Sequence, residues 1–169
     1  DKNDTYFRSL AKLKSNIFYK ELNGIQEGDQ EKINNIKALL TETVSNYKLA
    51  IDYDNANYNN HVYLADFYTD LLPLKISDQD FYGAASDLYN KALELRPNDP
   101  EIYLKKAKLE FVNGSVDESK KMIIEAIKIR PQYFEAYSSL SQLEFGQGNS
   151  LDGVNILKEY LKINPNDSN

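Results

Sequence analysis

Three prolines stand at equal intervals in this chain: Pro97, Pro131 and Pro165 are each 34 residues apart. Other residues keep the same step. Tyr103 returns as Tyr137, Leu109 as Leu143, Glu110 as Glu144, Phe111 as Phe145 and Gly114 as Gly148. Ala92 returns as Ala126. A fixed period of this size marks stacked copies of one supersecondary unit, none of which can bury its apolar face alone.

Inside the unit, the residues describe a helical hairpin. Asp99 is a good N-cap, Pro100 suits the first helical position and Glu101 suits the positive end of the helix dipole. Tyr103, Ala107, Leu109 and Phe111 follow at mostly helical spacing. Asn113-Gly114 supplies a stop that tolerates positive φ. Ser115 to Glu118 has the pattern of a capping box and opens a second helix carrying Met122, Ile123, Ala126, Ile127 and Ile129. Pro131 ends it. The next copy is expected over 134–147 and 150–164. Small residues at Ala107, Ala126 and Ser141 allow close helix approach.

The pattern extends upstream in looser form. Tyr6, Phe7, Leu10, Leu13, Ile17, Phe18 and Leu22 form a broad apolar face that predicts a helix over 5–22, capped by Asp4 or Thr5. A polar turn over 24–29 and a longer helix over 30–53 follow, with Ala50 in the place of Ala92 and Ala126. This is a divergent first hairpin, with Asn55 standing where the proline would be. A second hairpin opens at Tyr58 and closes with a helix over 81–96. Ala50 and Ala92 are 42 residues apart, so eight extra residues lie in the Leu71–Asp80 turn. Insertions in repeat arrays map to loops. This one is either a functional loop or a tolerated one that tucks Leu74 and Ile76 against the core. Four hairpins over 4–53, 58–96, 100–130 and 134–164 therefore make one all-α domain spanning 1–165, with a polar tail at 166–169.

These positions resemble the tetratricopeptide repeat. The match runs through Tyr103, Ala107, Gly114, Ser119, Ala126 and Pro131 in one copy. In the next it runs through Tyr137, Leu140, Ser141, Gly148, Gly153, Leu157, Tyr160 and Pro165. His61, Leu64, Ala65 and Tyr68 carry it in the second hairpin. Glu110 and Glu144 depart from the usual Tyr, and Gly153 and Tyr160 from the usual Ala. The resemblance implies a right-handed superhelix of about eight helices whose first helices line a concave face that binds extended or helical peptides. Carried over by register, the groove positions are Arg8 and Lys12, then Val62, Asp66 and Thr69. Next come Leu104, Lys108 and Phe111, and finally Ser138, Gln142 and Phe145. The regular Lys and Asn set of carboxylate-clamping members is absent. A narrower resemblance, carried by Asn55 to Tyr58, Leu64-Ala65, Tyr68, the Leu-Pro-Leu insertion and Ala92 to Pro97, is to the C-terminal repeat tails of bacterial O-antigen-ligase-like membrane proteins.

Composition narrows the chemistry. The chain has no cysteine and one histidine, His61, so a Cys-based nucleophile and the usual His-rich metal site are both excluded. His61 occupies an aromatic repeat position, which suggests packing. Asp52, Asp54, Asn55 and Asn57 fail the calcium-loop spacing, because Asn57 takes the glycine position and Tyr63 the bidentate glutamate position. There is no phosphate loop or nucleophile elbow. No enzyme and no cofactor are expected. The net charge of -6 argues against nucleic acid or an anionic membrane as the main partner. No run is long enough to cross a bilayer. The start at Asp1 suggests an excised segment, which leaves the compartment open.

Two functional classes remain: a non-catalytic protein- or peptide-binding scaffold, and an assembly tail of a larger membrane-associated protein. Several of the thirteen tyrosines (Tyr68, Tyr89, Tyr103 and Tyr137) fall at repeat-core positions and most are read as structural, whereas Tyr63 and Tyr133 fall outside that register and suit surface recognition. The last helix carries two apolar stripes, and one preceding hairpin covers one of them. Val154, Leu157 and Leu161 are therefore expected to support self-association.

Overall fold

The computed structural model describes residues 2–25, 29–76 and 79–165. The regular structure among these is helical throughout: α1 (Lys2–Asn23), α2 (Gln30–Tyr53), α3 (Tyr58–Leu71), a short 3-10 turn (Leu72–Leu74), α4 (Phe81–Leu95), α5 (Pro100–Val112), α6 (Val116–Ile129), α7 (Phe134–Gly146) and α8 (Ser150–Ile163). The helices pair as α1 with α2, α3 with α4, α5 with α6 and α7 with α8, and each hairpin then stacks on the next. The 166–169 tail lies outside the described residues.

Local chemistry sets most of the boundaries. Asp29, Asn57, Asp80 and Asp99 each cap a helix by accepting from a backbone N–H of the first turn. After α5, Gly114 sits at φ +85°; after α7, Gly148 sits at +83°. Both turns close with the same two bonds. Ser115 N donates to the Glu110 carbonyl and Gly114 N to that of Phe111; Asn149 N donates to Glu144 and Gly148 N to Phe145. A side chain would strain this left-handed position, so glycine is required in both. The Ser115 capping box does not form, because Ser115 makes no side-chain bond to the helix and Glu118 is held by Lys121 at 2.5 Å.

Asp4 does not cap α1 either. The helix begins before it, at Lys2, and the Asp4 carboxylate is 1% exposed against the second hairpin. Asn57 and Asn60 donate to it at 2.9 and 3.1 Å, and Arg8 lies 3.2 Å away. Burial alone would raise its pKa. The hydrogen bonds from Asn60, from the Thr5 backbone and hydroxyl, and from Asn57 prevail and hold it down at about 2. Asn60 also donates to the Ala50 and Asp54 carbonyls, so one buried amide ties α3 to α1 and to the end of α2.

The first hairpin is longer than the others, and the eight-residue insertion answers it. Ile76 packs against the core beside Leu40 and Val44 of the lengthened α2, while Leu74 stays 36% exposed. Two of the inserted residues, 77 and 78, lie outside the described set. Among the described residues the apolar interior falls into two clusters. One spans the first two hairpins and reaches Ile102 and Leu109 of α5. The other gathers Ala107, Ile123, Ala126, Ala136 and Leu143.

Three of the departures from the repeat pattern, Glu110, Glu144 and Gly153, are accommodated by a neighbour. Glu110 is buried and accepts from the Tyr82 hydroxyl of α4 at 3.0 Å. Glu144 pairs with Lys120 of α6 at 2.7 Å and accepts from Asn149. Within the last two hairpins a buried serine bridges the helices, and it changes sides. Ser119 of α6 donates to the Ala107 carbonyl of α5, and Ser141 of α7 donates to that of Gly153 in α8, both at 2.8 Å. Ser141 takes the place of Ala107 in register, and Gly153 that of Ser119.

Candidate peptide-binding groove

A cavity of about 620 Å³ opens between α5, α6 and α7. Its floor is apolar: Leu104 and Ala107 from α5, Ile123 from α6 and Leu143 from α7. Phe111 stands at its edge with 52% of its surface exposed. Lys108, Gln142 and Tyr133 supply polar groups around it. An apolar floor ringed by a few donors and acceptors suits a side chain anchored by its neighbouring backbone. Four positions expected from register meet here: Leu104, Lys108, Phe111 and Gln142.

The remaining expected positions are placed elsewhere. Val62 and Thr69 are 5% and 1% exposed, so neither faces a ligand. α3 is enclosed by α1, α2, α4 and α5, and the Thr69 hydroxyl is turned inward to the Ala65 carbonyl at 2.8 Å. Ser138 is half-buried and lies 3.2 Å from the Gln142 amide. Phe145 is half-exposed, but its ring lies over Gly153 and not in the cavity lining. Arg8 donates to Asn60 at 2.6 Å, and Lys12 holds its ammonium 3.7 Å from the centre of the Tyr63 ring. Tyr63 is thus a platform for the two cations of the first hairpin. At the end helix, Val154 and Leu161 are 40% and 45% exposed and Leu157 is half-buried.

Charge pairs lace the first helices together. Lys105 lies 2.7 Å from Asp66, which also accepts from the Tyr89 hydroxyl at 2.6 Å. Burial, then the Asp66 charge beside it, pushes that hydroxyl far above its usual pKa. Lys108 lies 2.7 Å from Asp70. By register Lys108 faces Asp66, yet the ion pairs run one turn out of step. Lys105, which also lines the cavity, was not among the positions expected from register, and its charge next to Leu104 was the available signal. Tyr133 half-buries its ring beside the cavity with the Arg130 guanidinium 4.9 Å over it; burial, then Glu101, raises its hydroxyl pKa.

His61 is in the core as its repeat position implied. Its Nε2 lies 2.9 Å from the Asn55 carbonyl, which can only accept, so Nε2 carries the proton. Its Nδ1 is buried without a hydrogen-bond partner. Among the described residues no cluster of metal-ligating side chains occurs, and no helix is long and apolar enough to cross a membrane.

No family model matches the sequence, and no curated protein matches it. Solved structures do. A crystal structure of MamA is 18% identical with a TM-score of 0.59, over 96% of this chain and 92% of that one. TTC0263, a thermophilic TPR protein of Thermus thermophilus, is 14% identical with a TM-score of 0.62, over 97% and 93%. MamA from MSR-1 is 14% identical with a TM-score of 0.55, over 98% of both chains. None of these relates the chain to an O-antigen ligase. At such identities the likeness speaks to architecture, and with the 34-residue period and the paired helices it leads to one conclusion. The chain has the all-helical solenoid fold of tetratricopeptide-repeat proteins.

Proposed function

We propose that this chain is a non-catalytic scaffold that binds a protein partner by seating a peptide segment in the cavity between α5, α6 and α7. The observation that carries this reading is Phe111. A large aromatic ring stands half in solvent at the edge of an apolar-floored cavity. Exposed aromatics beside a concave apolar surface are typical anchors of recognition. The fold supports the same class of role. The net charge of -6 favours a protein ligand over a nucleic acid. An apolar side chain of the peptide fills the floor, and Gln142 and Tyr133 engage its backbone.

Selection from a displayed library of random peptides tests this. Binders are expected to share an apolar anchor, and Phe111→Ala and Gln142→Ala are expected to weaken them while leaving the helical signal unchanged. Binders indifferent to both substitutions place the site elsewhere.

A further inference from the structure

We infer that the groove between α2 and the 71–80 insertion docks an acidic amphipathic helix of a partner protein. The groove has a volume of about 670 Å³ and shares no residue with the cavity between α5, α6 and α7, so it stands independently of the peptide reading. Leu40 and Val44 of α2 form its floor with Ile76 of the insertion, and Leu49, 36% exposed, stands on its rim. The eight inserted residues give α2 this second wall. A plain hairpin turn, as after α5 or α7, has no residue to spare for one.

That wall is built under strain. Lys75 sits at φ +49° and ψ +37°, and among the described residues no other residue except glycine has a positive φ. A side chain crowds the backbone in this left-handed region, where glycine is free. Strain of this kind persists where the surrounding structure imposes it, and it gathers at functional segments. Here it lies between the 3-10 turn and Ile76, where the chain turns back toward α2.

The charges on the groove choose its occupant. Lys37 and Lys48 both line it, and neither ammonium has an ion pair, a hydrogen bond or a ring partner among the described residues. Nine other lysines of the described residues each pair with a carboxylate. Asp52, one turn beyond Lys48, is the one carboxylate in the lining. Two lysines against one aspartate leave the lining at +1, in a chain whose net charge is -6. Lys37, Leu40, Val44 and Lys48 stand at i, i+3, i+7 and i+11, so they share one face of α2 over three turns. The two lysines are about 16 Å apart along the helix axis. A helix laid along α2 answers this face with carboxylates about eleven residues apart and apolar side chains at the helical positions between them. Apolar contact then supplies affinity, and the two charge pairs fix the register.

Selection from a displayed library of helical peptides tests this, with each round depleted on a Lys37→Glu/Lys48→Glu variant. Both lysines are exposed, so the variant is expected to keep the fold, which circular dichroism checks; Lys37→Ala/Lys48→Ala replaces it if it unfolds. The recovered peptides are expected to carry Asp or Glu at that spacing with Leu, Ile, Val or Phe between. They are expected to bind the charge-reversed variant roughly tenfold or more weakly, and to bind the wild type less tightly as salt rises. Exchanging their acids for Lys is expected to restore binding to that variant. Phe111→Ala is expected to bind them as the wild type does, which separates this groove from the peptide cavity. Peptides without the paired acids, peptides lost on Phe111→Ala, or a library that yields none able to tell wild type from variant would each overturn the inference. So would a wild type that yields no peptide but holds phosphatidylserine vesicles through the two lysines, which would assign the groove to a lipid surface.

Discussion

The ring of Phe145 lies so close over Gly153 that a Cβ there would sit 2.8 Å from its Cε1. Gly153 is buried in the first turn of α8, and glycine inside a helix costs about 0.5–1 kcal/mol relative to alanine. The helix tolerates that cost because α7 lays an aromatic ring where a methyl would be. Gly153→Ala alone is therefore expected to change stability little, since the helical gain is offset by displacing the ring. In a Phe145→Ala background the same substitution is expected to stabilise by about 0.5–1 kcal/mol. A urea double-mutant cycle measures the difference, and additive effects would show that the ring moves aside freely.

Phe111 sits at the equivalent position one repeat earlier but has no such glycine under it. Phe111→Ala is expected to alter stability by less than about 1 kcal/mol, as for other exposed sites. The fully buried Phe18→Ala is expected to cost roughly 3–5 kcal/mol. Thermal melts of both variants make the comparison. A large loss in Phe111→Ala would reassign that ring to the core.

Tyr82→Phe is expected to destabilise by about 1–3 kcal/mol, the usual cost of leaving a buried polar group unpaired. Its hydroxyl donates to the buried Glu110 carboxylate. Combining it with Glu110→Gln is expected to restore part of the loss, because a neutral amide is cheaper to bury than a carboxylate. Chemical denaturation of the single and double variants reads this directly.

Among the described residues two carboxylates are held below their ordinary pKa. Asp4 falls from 3.8 to about 2 on folding, and Glu144 falls below its ordinary 4.5 through hydrogen bonding to Lys120 and then Asn149. A depressed folded pKa means stability that is fully present above the unfolded pKa and lost as pH falls through the folded one. Stability is thus expected to hold down to about pH 4.5 and to decline steadily toward pH 2. Asp4→Asn is expected to start lower and decline less steeply. Urea midpoints across that interval check it, and parallel curves for wild type and variant would remove Asp4 from the account.

The hairpins were legible because their signals are local. Asp99, Pro100, Gly114 and the 34-residue step act within a turn or two of themselves. The groove was legible only in part because register fixes which positions correspond, not how far each helix is covered or tilted. Thr69 and Phe111 correspond, yet one is buried by the helices around α3 and the other is half in solvent. Asp66 corresponds to Lys108, yet pairs with Lys105 one turn away. Asp4 looked like a cap from its neighbours in sequence. Its role came from Asn57 and Asn60, more than fifty residues on, which no local pattern reveals.

Helix α5 belongs to both core clusters, giving Ile102 and Leu109 to one and Ala107 to the other. In arrays of this kind each unit is stabilised by its own hairpin packing and by its nearest neighbours only, so opening is graded along the chain. The shared helix is where cooperativity divides. Amide exchange should proceed first through α7 and α8, which border the smaller cluster, while the first two hairpins stay closed. α5 then keeps its protection until the larger cluster yields, with one side already in water and the other still dry.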